Sequence, residues 1–455
     1  MTRSPRLAIA AVSFVVLLVA LLGATAADAR AVPSGQRFWE QVISDVVTVR
    51  GDVVICAERG ANDSVYLCGA YDHWDSDGYL WVARYASNGN QIWLRKYGET
   101  VGRIGNRVAT AVDHDGNLVV AGQITLAGNV DILVLKYSRD GVLRWERVVD
   151  GVAGGNDGAT DVVVDSSGGV YVAATSTGLS SGLDYLVIKY SSAGAYLWQS
   201  RYVGPGADDV PWAIAIDGER NTYLTGSSPN IAGDSDIVTV KTSASGKRLW
   251  TRRWDGGAHL EDEAHDVAVA AGGVYVNGVA SSGTGSKDVA LLRYTPGGTR
   301  SWARAWDGPG QGVDVPYRLA VDAKGNAWTA GAAQGAAGDD QALLIKWDAA
   351  GGILWTHSVA SSAGLESAFY DLTIDAHGTA WAAGSQEAVS GHNDLLIGKY
   401  ASSGKPVWMR LWDGHAHDDD GAYTLCLSGS TSLYVGGATS VPGDSYNPLL
   451  IKYRR

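Results

Sequence analysis

Apolar residues alternate with polar ones, or stand unbroken for a few positions, in short runs along almost the whole chain. Gly, Ser, Asn or Asp closes each run. Residues 159–202 contain four such runs, ATDVVVD, GVYVAAT, DYLVIKY and AYLWQSRY. A period of two is the spacing of a strand, whose side chains point alternately to opposite faces. DSSGG at 165–169 and DHDGN at 113–117 read as tight hairpin turns, since Gly and Asn enter positive φ at little cost. No window beyond the amino-terminal apolar run keeps a helical period.

The runs recur as a unit. Lys or Arg precedes an aromatic at Arg84-Tyr85, Lys136-Tyr137, Lys189-Tyr190, Arg293-Tyr294, Lys346-Trp347, Lys399-Tyr400 and Lys452-Tyr453, with Lys241-Thr242 the eighth member, at spacings of 52 or 53. Trp93, Trp145, Trp198, Trp250, Trp302, Trp355 and Trp408 keep the same period, and Trp39 stands 54 before Trp93. Four strands per unit at this period predict a propeller blade. The chain opens on a lone Trp-bearing run, RFWEQVI, and ends at Arg455 without one. The expected fold is therefore all-β: a single eight-bladed β-propeller of four-stranded blades, closed by the N-terminal strand completing the last blade. Such closure leaves no unpaired inner edge. Trp302 and Trp306 share a strand face, as do Trp250 with Trp254 and Trp408 with Trp412, and the periodic indoles are expected in the wedges between blades. The Lys or Arg of each pair should cover apolar surface with its stem.

The unit, with its KY pair, its SxG turn, its LWxRxW strand and the DG that follows, resembles the secreted bacterial β-propeller (SBBP) repeat over roughly 38–453. That resemblance implies an extracellular or surface-associated propeller without an assigned reaction. The SGxxLW portion is also similar to the tryptophan-docking repeat of eight-bladed quinoprotein dehydrogenases. Their cofactor site includes adjacent cysteines, and this chain has only Cys56, Cys68 and Cys426.

Targeting and composition narrow the setting. Arg3 and Arg6 precede an apolar run from Leu7 to Ala24, and ATAADARA follows. This reads as a secretory signal over 1–31, with 32–455 forming the propeller and no membrane span left after cleavage. Gly at 59 of 455 residues, with 17 Trp and 21 Tyr against 3 Phe, suits short strands joined by tight turns. A net charge of -12 argues against a nucleic-acid partner, which needs a basic patch.

Three cysteines in a secreted chain leave several states open: Cys56–Cys68 across a hairpin, Cys56–Cys426 across the closure, or free thiols. Aligning DVVICAERG with GAYTLCLSG gives Cys56 and Cys426 equivalent places on the first and last blades.

Repeated acids read as structural. Asp131, Asp184, Asp236, Asp288 and Asp394 open equivalent strands, and Asp113, Asp165, Asp217, Asp322 and Asp375 lead into glycine turns. Both sets are expected to cap turns. Departures from the repeat carry the candidate chemistry. DGGAHLEDEAHD at 255–266 and DGHAHDDDGAY at 413–423 concentrate imidazoles and carboxylates, among them Glu261, Glu263, His265, Asp418 and Asp420. Asp157, Asp209, Asp262, Asp314 and Asp419 stand just before inner strands, where DVPW and DVPY add Trp212 and Tyr317. The candidate ligand-binding residues are Asp209, Trp212, His259, Asp262, Asp314, Tyr317, His415, His417 and Asp419, grouped at the mouth of the channel. No catalytic residue is assigned and no cofactor is required. A divalent metal, calcium among others, is a candidate for the acidic loops, although their spacing matches no calcium or zinc motif.

The expectation is a secreted, monomeric, non-catalytic propeller that binds an extracellular protein or glycan. The alternative is a carbohydrate-active hydrolase or lyase using rim His and Asp, with or without metal. That alternative requires His and carboxylate to converge in one concavity.

Overall fold

The computed structural model describes residues 35–43, 53–71, 78–98, 103–104, 108–283, 285–361, 364–441 and 444–455. The expected signal segment lies outside them. Eight antiparallel sheets follow one another in chain order. The third blade is typical, with inner, second, third and outer strands at Asp157–Val164, Val170–Thr177, Leu183–Tyr190 and Tyr196–Tyr202. In the second blade the inner place is shared by Arg103–Ile104 and Ala109–Val112, both paired with Leu118–Leu126.

Each inner strand meets the inner strands of the blades on either side, and the sequence of contacts returns to its start. Cys56–Arg59 meets Ala109–Val112, and the series runs on through Asp157–Val164, Val210–Ile216, Glu263–Ala270, Val315–Val321 and Ser367–Ile374. Asp420–Ser428 then meets Cys56–Arg59 again. The chain is an eight-bladed ring. Arg37–Val42 closes it by pairing antiparallel with Asp444–Arg454 as the outer strand of the eighth blade.

The repeated Trp explains how blades dock. Each indole stands on the left-handed glycine of the next blade's outer hairpin. A Cβ on Gly141 would meet Trp93 at 2.7 Å, on Gly194 would meet Trp145 at 2.7 Å, and on Gly246 would meet Trp198 at 2.8 Å. Only glycine combines positive φ with this approach. For Trp39, Trp93, Trp145, Trp198, Trp250 and Trp302 the indole N–H donates to a carbonyl in the same turn, as Trp145 to Ser192 at 3.1 Å and Trp198 to Ala244 at 3.0 Å, whereas the Trp355 N–H is buried without a partner. The Lys of the preceding pair reaches that same oxygen, as Lys136 to Ser192 and Lys241 with Trp250 to Pro296. These amines are buried rather than spread along apolar surface, and several lie over a ring of the second strand, such as Lys189 4.5 Å from Tyr171. The closing strand takes both parts in the device. Gly35 seats Trp408 of the seventh blade, while Trp39 stands on Gly89 of the first.

Candidate ligand-binding mouth of the central channel

Seen from the axis, the inner strands present a one-residue bulge at a common place. It falls between Ala159 and Asp161, Pro211 and Ala213, Ala264 and Asp266, Pro316 and Arg318, Phe369 and Asp371, and Ala422 and Thr424. A bulge leaves its extra residue unpaired and re-aims the side chain. From the fourth blade to the eighth the bulged residues are Trp212, His265, Tyr317, Tyr370 and Tyr423, a run of rings around one arc. Tyr370 lies 5.7 Å from Tyr317 and 5.8 Å from Tyr423 between centroids. Tyr317 and Tyr423 remain 36% and 37% exposed.

His265 is fixed by its Nδ1, which donates to the Pro316 carbonyl at 2.5 Å, since a carbonyl only accepts. Its Nε2 lies 3.9 Å from the Glu263 carboxylate. Burial works against ionisation of Glu263, but His265, Lys287 and Trp212 outweigh it and hold the carboxyl below its ordinary range.

One residue further along, the ring of strands becomes charged. Asp161, Asp266 and Asp371 stand at this place in alternate blades. In each, one oxygen accepts the next residue's N–H and the other accepts an N–H from the following blade: Ile214 at 3.0 Å, Leu319 at 2.9 Å and Leu425 at 2.8 Å. Thr424 does the same for Ala57 at 3.1 Å, across the closure. Arg318, half exposed to the channel, points its Nε at Asp371 from 3.3 Å. Burial pushes Asp161 up to about 6 and raises Asp266. Arg318 is held more firmly charged, because Asp371, Asp266 and Asp161 overcome its own desolvation.

Glu58 joins this group from the first blade. Burial first, then Asp371 and Asp161, push its carboxyl up to about 8, against the pull of Thr110 and Arg318. The folded chain therefore keeps a proton that the unfolded chain releases near the ordinary value of 4.5, so stability falls as pH rises from about 4.5 to about 8 and levels off beyond. The whole shift is worth at most about 5 kcal/mol, and channel water reduces it to roughly 1–3 kcal/mol. Glu58→Gln should raise the melting temperature at pH 8.5 and change it little at pH 4.5. An equal change at both would remove the proton from the explanation.

The residues singled out from sequence divide between the mouth and other places. Trp212 and Tyr317 belong to the aromatic arc. Asp209, Asp262 and Asp314 are almost fully buried and accept N–H groups from Gly204, Gly256 and Gly308 in the loops above them. Burial raises all three, Asp314 to about 6. The register gives Asp420, rather than Asp419, the matching place, through its bond from Gly414. Asp419 instead accepts from the Tyr446 hydroxyl at 2.7 Å and the Asn393 N–H at 2.8 Å. His259 and His417 pair within their own loops, with Asp255 at 2.5 Å and Asp413 at 2.7 Å, and His415 lies 3.4 Å from Glu40. His259, His415 and His417 thus turn away from the mouth, whereas His265 and Tyr423 at the ends of the same two stretches belong to the aromatic arc. Asp161, Asp266, Asp371, Arg318 and Glu58 were not singled out. Their signal was present, for 161, 266 and 371 recur every second unit beside bulge residues.

Two structural expectations need correction. Asp113, Asp165, Asp217, Asp322 and Asp375 do cap their turns, each accepting two backbone N–H groups. The strand-opening set does not. Asp184 and Asp236 pair with Arg201 at 2.6 Å and Arg253 at 2.7 Å. Asp131, Asp288 and Asp394 instead face other carboxylates at blade junctions. The groups 131/150/157, 236/255/262, 288/307/314 and 394/413/420 each bring three oxygens within 4.8 Å of one another. Cys56 and Cys426 are also not equivalent. Glu58 pairs with Tyr66 as Cys426 pairs with Tyr434, so Cys426 matches Glu58, and Cys56 matches Thr424. Cys56 and Cys68 are cross-strand partners, and all three thiols are free.

The fold and the mouth place the chain in the class of eight-bladed β-propellers with a channel able to bind ligand. No family model and no curated protein matches it. Two crystal structures of Sqt1 from Chaetomium thermophilum align with TM-scores of 0.54 and 0.55 at 10% and 9% identity, over 89% of this chain and 95% and 96% of theirs. A protein of unknown function from Bacteroides caccae aligns with a TM-score of 0.37 at 12% identity, over 61% of this chain and 89% of its own. The likeness to Sqt1 is one of fold. Among the described residues no helix is long and apolar enough to cross a membrane.

Proposed function

We propose that this chain is a secreted, non-catalytic propeller of the SBBP-repeat kind that binds a protein or glycan at the channel mouth. The observation that carries the reading is the arc of Trp212, His265, Tyr317, Tyr370 and Tyr423 on five consecutive inner strands, above a ring of acids. Aromatic faces accept the apolar side of a sugar ring, or a cationic side chain drawn by the carboxylates beneath. The alternative is a rim hydrolase or lyase, for which His265 and Glu263 bring an imidazole and a carboxylate to 3.9 Å of each other at the mouth, whereas His259 and His417 pair with carboxylates inside their own loops.

Screening the purified protein against glycan and peptide arrays, beside its Tyr370→Ala and His259→Ala variants, tests this. A ligand found for the parent should bind Tyr370→Ala at least about tenfold more weakly and His259→Ala unchanged, since one central ring contributes of the order of 1–2 kcal/mol. Loss with His259→Ala alone would move the site to the acidic loops. Turnover of a bound glycan would replace binding with catalysis.

A further inference from the structure

We propose that the partner of the channel mouth is a basic polypeptide, laid across the face on which the mouth opens, with a Lys or Arg side chain in the channel. The proposal rests on the reading that the mouth is the binding site. Strands alternate in direction within a blade, so the hairpins between second and third strands share this face with the loops that lead into the next inner strand. The aromatic arc stands at the start of the inner strands and belongs to the same end.

Two independent features of this face define the partner, and the first is apolar. Leu179, Ile231 and Val389 stand at hairpin tips of the third, fourth and seventh blades and are 82%, 89% and 78% exposed. The hairpins are closed by backbone bonds of 2.7 Å, from the N–H of Gly178, Asn230 and Ala388 to the carbonyls of Gly182, Asp234 and His392. The loop carrying Val203, 49% exposed, joins the first two tips into one shelf. Its Asp208 accepts the Leu183 N–H at 2.9 Å, and its Gly206 packs on Pro229. A shelf of exposed aliphatic side chains marks a surface that another polypeptide covers. A sugar ring stacks on aromatic faces and leaves such tips in water, so the shelf selects polypeptide over glycan.

The second feature is charge. Among the described residues, the loops and hairpins of this face between residues 150 and 419 contain no Lys or Arg. Asp150, Asp208, Glu261, Asp307, Glu366 and Asp418 are exposed in them. Lys287, at the start of a strand, is paired with Glu261 at 3.6 Å. The turns of the opposite face instead carry Arg139, Arg220, Lys247, Lys324 and Lys405, all exposed. Below the aromatic arc, three carboxylates at Asp161, Asp266 and Asp371 stand against one guanidinium at Arg318. A face of one sign draws a partner of the other, and the rings accept its cation on their faces.

Panning a phage-displayed random dodecapeptide library on the purified chain tests the proposal. Lys and Arg should be enriched over Asp and Glu among the selected sequences, together with aliphatic residues. A selected peptide, followed by fluorescence polarisation, should bind at least about fivefold more weakly to a Leu179→Ser, Ile231→Ser double variant. The melting temperature of that variant should match the parent's, because both side chains are exposed. The same peptide should bind more tightly to Arg318→Gln, a gain that misfolding cannot imitate, and more weakly as NaCl is raised. Sequences without an excess of Lys and Arg, or equal binding by the double variant, would overturn the assignment. The mouth would still stand as the site if Tyr370→Ala weakened their binding. Selection of no peptide would also overturn it, and a glycan held through Tyr370 would then keep the mouth as the site. Peptides bound equally by parent and Tyr370→Ala would overturn both.

Discussion

Removing residues 35–43 should abolish the single cooperative unfolding transition and leave a chain that aggregates. This segment does several jobs at one seam. Arg37–Val42 pairs with the strand ending at Arg454, Ile43 is 1% exposed in the core, and the Trp39 indole donates to the Ser87 carbonyl of the first blade at 3.2 Å. Glu40 accepts from Trp412 at 3.0 Å, and Gly35 seats Trp408. Its loss breaks two blade junctions and bares a strand edge. The expected cost is on the order of 5–10 kcal/mol, comparable with the whole net stability of a domain. Calorimetry of the truncated chain would decide. A cooperative transition within a few degrees of the parent's would mean that the ring does not depend on this strand.

Trp145→Ala is expected to carry the next largest effect, about 3–5 kcal/mol. Trp145 is 8% exposed, lies 5.9 Å from the Tyr190 ring, donates to Ser192, and fills the space over Gly194 that any side chain there would occupy. Truncation opens a cavity between the second and third blades and leaves the buried Lys136 amine as the remaining donor to that carbonyl. Denaturant unfolding should show the loss, with Trp145→Phe recovering part of it through retained area. A cost below about 1 kcal/mol would show that the indole merely covers the outside of the wedge.

The contrast between these residues and the channel shows what a sequence exposes. Trp145 and Lys136 recur in register with the repeat, and docking each blade on the next requires such recurrence. The blade count and closure were legible for that reason. The channel acids follow a different rule. Asp161, Asp266 and Asp371 recur in alternate blades, with Ala213 and Arg318 at the same place between them. The bulge before each also shifts the strand alternation by one, so a period-two reading assigns the wrong residue to the axis. The same one-residue ambiguity placed Asp419 where Asp420 stands. The longer first hairpin, with its turn at Ala61–Asp63, displaced the match between Cys56 and Cys426. Trp212 and Tyr317 were legible because DVPW and DVPY set an aromatic three residues after a repeated acid, just where an inner strand begins.

The closed ring underlies both the mouth and the loop face around it, and hydrogen exchange of the intact protein tests it most directly. The N–H groups of Ile214, Leu319, Leu425 and Ala57 each bridge to the preceding blade, through Asp161, Asp266, Asp371 and Thr424. All four should exchange slowly and with similar protection, because opening any one junction opens the ring. Fast exchange at Ala57, with the other three protected, would mean an open stack broken between the eighth blade and the first, and would contradict the closed propeller.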